Sequence, residues 1–268
     1  MTDRILLFVP MYNCERQIGR VLAQITPEHQ RLLAEVMVVD NRSTDGGREV
    51  AIEALRRMRD VPTRLVRNDN NYGLGGSHKT AFHHALKGGF DYLIVLHGDD
   101  QGDFADIAPY LRDRSYAGLD ALLGARFMKG SKLVGYSTTR RLGNRVFNAL
   151  YSAATGVRIH DLGSGLNMYR VGALADRFWL GNANDLTFNY HMILRSIAAG
   201  WRMRFFPLSW REDDQVSNVK LVQQSLRVLR LPLAYKVARR RYLARDFSGA
   251  PDARYTAEPL YMSDGTMA

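Results

Sequence analysis

The chain has 268 residues, with 37 Lys and Arg against 27 Asp and Glu, a formal net charge of +10 at pH 7. That length holds one large α/β domain or two small ones and can bury its own core. A single cysteine, Cys14, excludes an internal disulfide and a cysteine-rich zinc site, and it suits a reducing compartment. The first apolar run, Ile5 to Val9, is too short for a signal-peptide core. No stretch approaches the ~18 apolar residues of a membrane span. The expected location is cytoplasmic, with no transmembrane helix.

Strand-like runs alternate with helical patterns along the chain. RILLFVP reads as a strand followed by a helix over about 15–25, and EVMVVD is followed by a helix over about 46–58. TRLVR leads to a helix over about 77–86, YLIVLH to a short helix near Asp106, and ALLGA follows. Such alternation implies βαβ units and a mostly parallel sheet with helices on both faces. After Arg126, FMKGSKLVGYSTT is a loop rich in Gly, Ser and Lys, long enough to point to function. A helix over about 140–154 comes next, then helical segments after Gly172 and after Asp185, and RMRFFPL as a late strand. The C-terminal segment reads as a helix interrupted at Pro232. From Ser217 to Asp246, eight basic residues stand against one acidic, a local charge of +7. Such a segment suits nucleic acid, an anionic bilayer or a phosphate-bearing substrate.

Ligands of open α/β sheets bind beyond the carboxyl ends of the strands. Polar or glycine-rich sequence gathers at four such ends: Pro10, Tyr12, Asn13 and Glu15; Asp40 and Asn41; NDNNYGLGGS; and HGDDQ. The first end, PMYNCE, lacks the glycine turn that a dinucleotide pyrophosphate needs, which counts against a nicotinamide oxidoreductase. NNYGLGGSHKTA sets glycines ahead of a helix, as an anion cradle around Gly73 and Gly76 or as a plain helix-start turn. It lacks the Gly-Lys-Ser/Thr ending of a P-loop. In HGDDQ, His97, Asp99 and Gln101 alternate. If the chain stays extended they face one side as a divalent-metal site. A turn capping the next helix is the alternative.

The ordered set VPMYNCE, VVDNRSTDGG, NNYGLGGS, LIVLHGDDQGD, GARF and HDLGSGLNMYR resembles the family 2 glycosyltransferases. The similarity is greatest to the branch of dolichol-phosphate mannose synthase and polyprenyl-phosphate sugar transferases, over roughly residues 5–220. The resemblance implies a GT-A fold, with a Rossmann-like, mostly parallel sheet, as a catalytic domain over 1–220. A basic C-terminal helical segment and tail would occupy 221–268. It implies an inverting transfer from a UDP- or GDP-linked sugar, with Pro10, Tyr12, Asn13, Glu15 and Asp40 around the nucleotide. Asn41 stands where the family usually has a second aspartate.

The family's metal motif, D-x-D-x-Q, reads His97-Gly98-Asp99-Asp100-Gln101 here. Asp99 is then the main ligand, flanked by Gln101 and His97, and the imidazole shifts preference from Mg²⁺ toward Mn²⁺. Contact of His97 with the phosphate alone is the alternative. On the acceptor side the resemblance points to Arg126, Arg140, Asn144 and Ser164, with Asp161 a prominent acid. Leu166 and Asn167 stand where an aromatic and an arginine are usual, and Arg211 and Lys220 match the closing motif only loosely.

Displacement at an anomeric carbon needs a neutralised leaving diphosphate, in-line positioning and an ionised nucleophile. A lipid phosphate needs cations such as Arg126, Lys132 and Arg140. A sugar or protein hydroxyl needs a base, Asp161 or Asp185, although Asp185 reads equally as a helix N-cap. The catalytic set is thus Asp99, Arg126, Asp161 and Asp185. Val222, Leu226, Leu229 and Leu233 recur at helical spacing, on a helix packed on its own domain or lying on an anionic bilayer. No zinc, RRM or KH signature supports nucleic acid as a partner. The expected acceptor is a polyprenyl phosphate at an anionic membrane surface. A hydroxyl acceptor, or an inactive nucleotide-sugar-binding protein in which His97 has replaced a ligand, are the alternatives.

Overall fold

A computed structural model describes residues 2–212, 221–250 and 253–263, with the backbone alone over 221–227. In chain order the elements are β1 (Ile5–Met11), α1 (Glu15–Ala23), α2 (Pro27–Gln30), β2 (Glu35–Asp40), α3 (Gly47–Arg56), β3 (Thr63–Asn68) and α4 (Gly73–Gly88). Then come β4 (Tyr92–Leu96), α5 (Ala108–Arg112), β5 (Ala121–Ala125), β6 (Leu133–Val134), α6 (Thr138–Thr155), β7 (Leu166–Arg170) and α7 (Phe188–Ala198). The chain closes with β8 (Met203–Pro207), β9 (Trp210–Arg211), α8 (Leu221–Val237), α9 (Arg239–Ala244) and β10 (Ala257–Met262).

An eight-stranded sheet in the order β10-β3-β2-β1-β4-β7-β5-β8 forms the frame. All strands but β7 and β10 run the same way. Every residue of β1, β2, β4 and β5 is buried. Helices on both faces explain why these strands read as apolar runs without alternation. The period of two is still visible in the packing. Ile5, Leu7 and Val9 join one core with α1 and α3, while Leu6 and Phe8 join the other with α4 and α7.

The structure departs from the sequence reading at four places. LNMYR is the antiparallel strand β7, wedged between β4 and β5. The stretch after Gly172 is two short 3₁₀ turns, Val171–Leu174 and Phe178–Gly181, rather than a helix. The helix expected from residue 77 starts at Gly73, so its glycines lie inside the first turn. Close approach requires them there, since a Cβ on Gly75 would lie 2.3 Å from the carbonyl oxygen of Ala183.

The fourth departure is α8, which runs unbroken through Pro232. Proline has no N–H to offer the carbonyl of Val228, four residues earlier. The buried Tyr151 hydroxyl on α6 donates to that oxygen instead, at 2.9 Å. The break falls at Ala238, between α8 and α9. The basic C-terminal segment is also tied to the rest of the molecule: α8 packs on α6, and β10 pairs with β3. Among the described residues no helix is long and apolar enough to cross a membrane.

Tyr151→Phe is expected to leave the Val228 carbonyl buried without a donor, at a cost of about 1–2 kcal/mol. Thermal denaturation should register the loss. Adding Pro232→Ala, which restores an N–H to that carbonyl, should recover part of it.

Candidate active site

The carboxyl ends of β1 to β4 meet at one edge of the sheet, and their loops are braced against one another. Asn13, at φ +48°, accepts from the Thr44 amide at 2.8 Å, and its own N–H donates to Ser43 Oγ at 3.1 Å. The Glu15 carboxylate accepts from the Gly46 amide at 3.1 Å, and the Glu15 amide donates to Asp45 at 2.9 Å. The side-chain oxygens of Asn13 and Glu15 therefore hold the β2–α3 loop in place. Asp40 is fully buried; one oxygen accepts from the Ser43 amide at 2.8 Å. Its other oxygen has no hydrogen bond among the described residues, and Arg48 Nε lies 3.9 Å away.

Asn41 is a hub. Its oxygen accepts from Asn68 Nδ2 and the Tyr72 amide, both at 2.9 Å, and its Nδ2 donates to Asn71 at 2.7 Å. An aspartate could not make the last bond, which is a physical reason for asparagine at this position.

Between these loops lies a cleft of about 330 Å³. Tyr12, half exposed, forms one side; Asn71, Gly73, Leu74 and Ser77 form another, Leu186 a third, and Cys14, His97, Gly98 and Asp99 border it as well. Gly98 permits the closure, because a Cβ there would lie 2.8 Å from the Pro10 carbonyl oxygen. Asn71, Leu74, Ser77 and Cys14 lie in the strand-end motifs without being singled out as walls, and Leu186 escaped the sequence reading, since nothing in an isolated apolar residue marks it as a wall. Cys14 is inert as a nucleophile: burial pushes its thiol up to about 12.

The chain does not stay extended after β4. Asp100 turns into the left-handed region at φ +59°, so His97, Asp99 and Gln101 do not share a side by strand alternation. Asp100 points away from the cleft and accepts from Arg20 at 2.7 Å, Gln24 at 3.2 Å and Arg211 at 3.1 Å. The Gln101 amide donates to Asp99 at 3.2 Å and its carbonyl accepts from the Arg211 amide at 3.1 Å. Gln101 is absent from the cleft lining. Arg211 is thereby committed to the Asp100 turn, at Nε as well as at its terminal nitrogen.

His97 and Asp99 both border the cleft. Burial, reinforced by the Arg126 charge, pushes His97 down to about 4, and its Nε2 is buried without a hydrogen bond among the described residues. Behind it stands His78, 6.0 Å away between ring centroids, pushed down to about 3 by burial and by His97. Both rings are neutral near pH 7. Asp99 is pushed up to about 6 by burial, with Asp100 adding to the shift and the Gln101 amide opposing it.

Among the described residues no three His, Cys, Asp or Glu side chains form a protein-only metal cage. One carboxylate disfavoured by burial and one unpartnered imidazole nitrogen border the same cleft instead. That pair fits a divalent ion that completes its shell with phosphate oxygens and water, as Mg²⁺ usually does.

Further along the sheet, Arg126 and Asp161 form a buried, two-pronged ion pair. Arg126 Nε and a terminal nitrogen reach Asp161 at 2.8 and 2.9 Å, and the Arg126 amide adds a bond at 2.9 Å. The guanidinium also lies 4.8 Å over the Trp210 ring. Burial works to raise the Asp161 pKa, but the Arg126 charge outweighs it and holds the carboxyl below the usual carboxylate range. An acid so weakly basic, with both oxygens on Arg126, is built to hold a cation rather than to take a proton. Arg140 pairs with Glu212 at 2.6 Å, and Asn144 donates to the Tyr136 hydroxyl at 2.8 Å. Ser164 is buried and donates to Asn167 at 3.1 Å. Asp185 is exposed and accepts from the Thr187 amide and hydroxyl at 2.8 and 2.5 Å, the geometry of a turn leading into α7. Lys220 lies outside the described residues.

The match to the glycosyl transferase family 2 model spans residues 7–178, more than half of the chain. The chain belongs to that family and is a glycosyltransferase. It is 24% identical over 215 residues to undecaprenyl-phosphate mannosyltransferase of Micrococcus luteus, covering 79% of this chain and 85% of that one. It is 27% identical over 214 residues to dolichyl-phosphate hexose transferase of Haloferax volcanii, covering 78% and 84%. Among solved structures it resembles glucosyl-3-phosphoglycerate synthase from Mycobacterium tuberculosis in complex with Mn²⁺, uridine diphosphate and phosphoglyceric acid. The TM-score is 0.63 at 16% identity, over 96% of this chain and 86% of that one. The shared architecture is the GT-A fold.

Two stability measurements follow from the site's electrostatics. The Asp99 pKa is raised on folding, so its charge opposes folding above about pH 6, and the penalty disappears toward pH 4. Ligand-free Asp99→Asn should melt above the native protein at pH 8, by on the order of 2 kcal/mol, and the gap should shrink on acidification. Arg126→Ala, which strands a buried carboxylate, should instead destabilise by about 3–5 kcal/mol in chemical denaturation.

Proposed function

We propose that this glycosyltransferase moves a sugar from a nucleotide-diphosphate sugar, held in the cleft at the ends of β1 to β4, to a polyprenyl-type lipid phosphate. Tyr12 would lie against the base, with Asp40 on the nucleoside side, and the first turn of α4 would face the diphosphate. A divalent ion held by Asp99, by His97 and by the diphosphate would neutralise the charge that develops on the leaving group. An acceptor phosphate oxygen forms the new bond to the anomeric carbon as the bond to the diphosphate breaks, with its electron pair leaving on the diphosphate. This single displacement inverts the centre. The acceptor is already anionic and needs no base, which suits a site whose buried acid, Asp161, is engaged by Arg126. The neutral, softer imidazole of His97 favours Mn²⁺ over Mg²⁺.

One observation carries the lipid acceptor. Leu142, Val146 and Leu150 form an exposed stripe on α6, beginning beside Arg140, Arg141 and Arg145. On the adjoining α8, Leu229, Leu233 and Val237 form a second exposed stripe, followed by Arg239, Arg240 and Arg241. Two packed helices with apolar stripes and basic flanks fit an anionic bilayer, to which each basic residue near the surface contributes about 1 kcal/mol. The named relatives that act on undecaprenyl and dolichyl phosphates support the same acceptor class.

Sedimentation with anionic liposomes should be strong at low salt, fade at high salt, and weaken in Leu233→Ser/Val237→Ser and in the triple Arg239, Arg240, Arg241→Ala protein. Transfer of labelled sugar should give a lipid-extractable product, require a divalent metal, and be abolished by Asp99→Ala. His97→Asp should narrow the difference between Mn²⁺ and Mg²⁺. Arg140→Ala is the cleaner acceptor probe, because Arg126 also holds the fold. Label found only on soluble glycans or protein would overturn the lipid reading.

A further inference from the structure

Lys79 is fully buried on α4 and plays no part in the displacement. Its ammonium donates to the carbonyls of Leu180 and Asn182 at 2.8 and 2.7 Å and to Asn184 Oδ1 at 2.8 Å, which uses its three protons, and the Tyr255 hydroxyl lies 3.1 Å away. Burial pushes it down to about 7, with Asp246 opposing the shift. A methionine of similar length would carry no desolvation cost but would strand those acceptors, so the lysine is the tie between α4 and its partners.

Lys79 and its partners lie on three separate stretches of chain. α4 supplies Gly73 and Leu74 to the cleft, and the loop through Asn184 supplies Leu186. The third stretch, Asp246 to Thr256, follows the basic helices. The Asn184 side chain donates to the Ser248 carbonyl at 3.0 Å and accepts from the Tyr255 hydroxyl at 3.0 Å, while its backbone oxygen accepts from the Gly75 amide at 2.8 Å. Tyr255 sits at φ +49°, which is unusual for an aromatic residue, and its ring meets Tyr72 edge-on at 5.3 Å. No slack separates these parts: a Cβ on Gly73 would lie 2.4 Å from the Asn184 carbonyl oxygen. A displacement of Asn184 must move the first turn of α4.

We propose that Lys79 is a positioning residue for the donor cleft, and that through Asn184 and Tyr255 it makes the 246–256 stretch a working part of the nucleotide-sugar site. This rests on the assignment of the cleft to the donor. The C-terminal stretch is then coupled to donor affinity, although none of its described residues lines the cleft.

Titration calorimetry with UDP and with GDP, each in the presence of Mn²⁺, tests it on the full chain. Tyr255→Phe removes one hydroxyl and should weaken nucleoside-diphosphate binding about fivefold; Lys79→Met should weaken it about tenfold or more. The double variant should be no weaker than Lys79→Met alone. The KM for the nucleotide sugar should rise with little change in kcat. Tyr261→Phe, on β10 in the same C-terminal region, should bind as the native chain does. If native and variant proteins bind alike while only the melting temperature falls, the role is structural and the inference is overturned. If the native chain binds neither nucleotide, the donor assignment falls instead. Should Lys79→Met fail to fold, Tyr255→Phe decides the matter.

Discussion

The structure depends on burying one sheet from both sides. Strands covered on each face by helices cannot carry polar side chains along their length, because an unpaired buried polar group costs too much. Polarity is therefore pushed to the ends, and with parallel strands those ends fall on one edge. Pro10 to Tyr12, Asp40, Asn41, His97 and Asp99 come together for this reason, although they are scattered through the first hundred residues. The antiparallel β7 extends the same logic. It places Gly165 so close to His97 that a Cβ there would lie 3.0 Å from the ring.

The site that results holds its charges in two different ways. Asp161 and Arg126 are buried together, and the buried Asp100 is held by Arg20, Gln24 and Arg211 from the surface, so those charges are compensated within the fold. Asp99 is disfavoured by burial despite the Gln101 amide, and the second oxygen of Asp40 and the Nε2 atoms of His97 and His78 have no hydrogen bond among the described residues. A buried group without a partner is expensive, and at the cleft His97 Nε2 is such a group among the described residues. On the proposed reading, the donor diphosphate and its metal complete the cleft that folding leaves incomplete.

The second helical layer ties the catalytic edge to the rest of the chain. The Tyr151 hydroxyl replaces the hydrogen bond that Pro232 cannot make, and α8 continues unbroken through the proline while packed on α6. Lys79 does similar work at the other end of the segment, where it links Asn184 to Tyr255.

The sequence by itself determined the alternation of strands and helices, the four polar strand ends and the family, because apolar runs and ordered motifs are local signals. It also determined the net charge and its concentration near the C-terminus. Only the tertiary structure decided which polar groups border the cleft and which brace a neighbour. Asn13 and Glu15 look like ligand contacts in sequence, yet their oxygens hold the next loop. His97, Asp99 and Gln101 look aligned, yet a single left-handed residue, Asp100, breaks the alternation. Leu186 and Lys79 carry no local signal. Their roles come from contacts across a hundred residues of chain, which residue type and spacing do not encode.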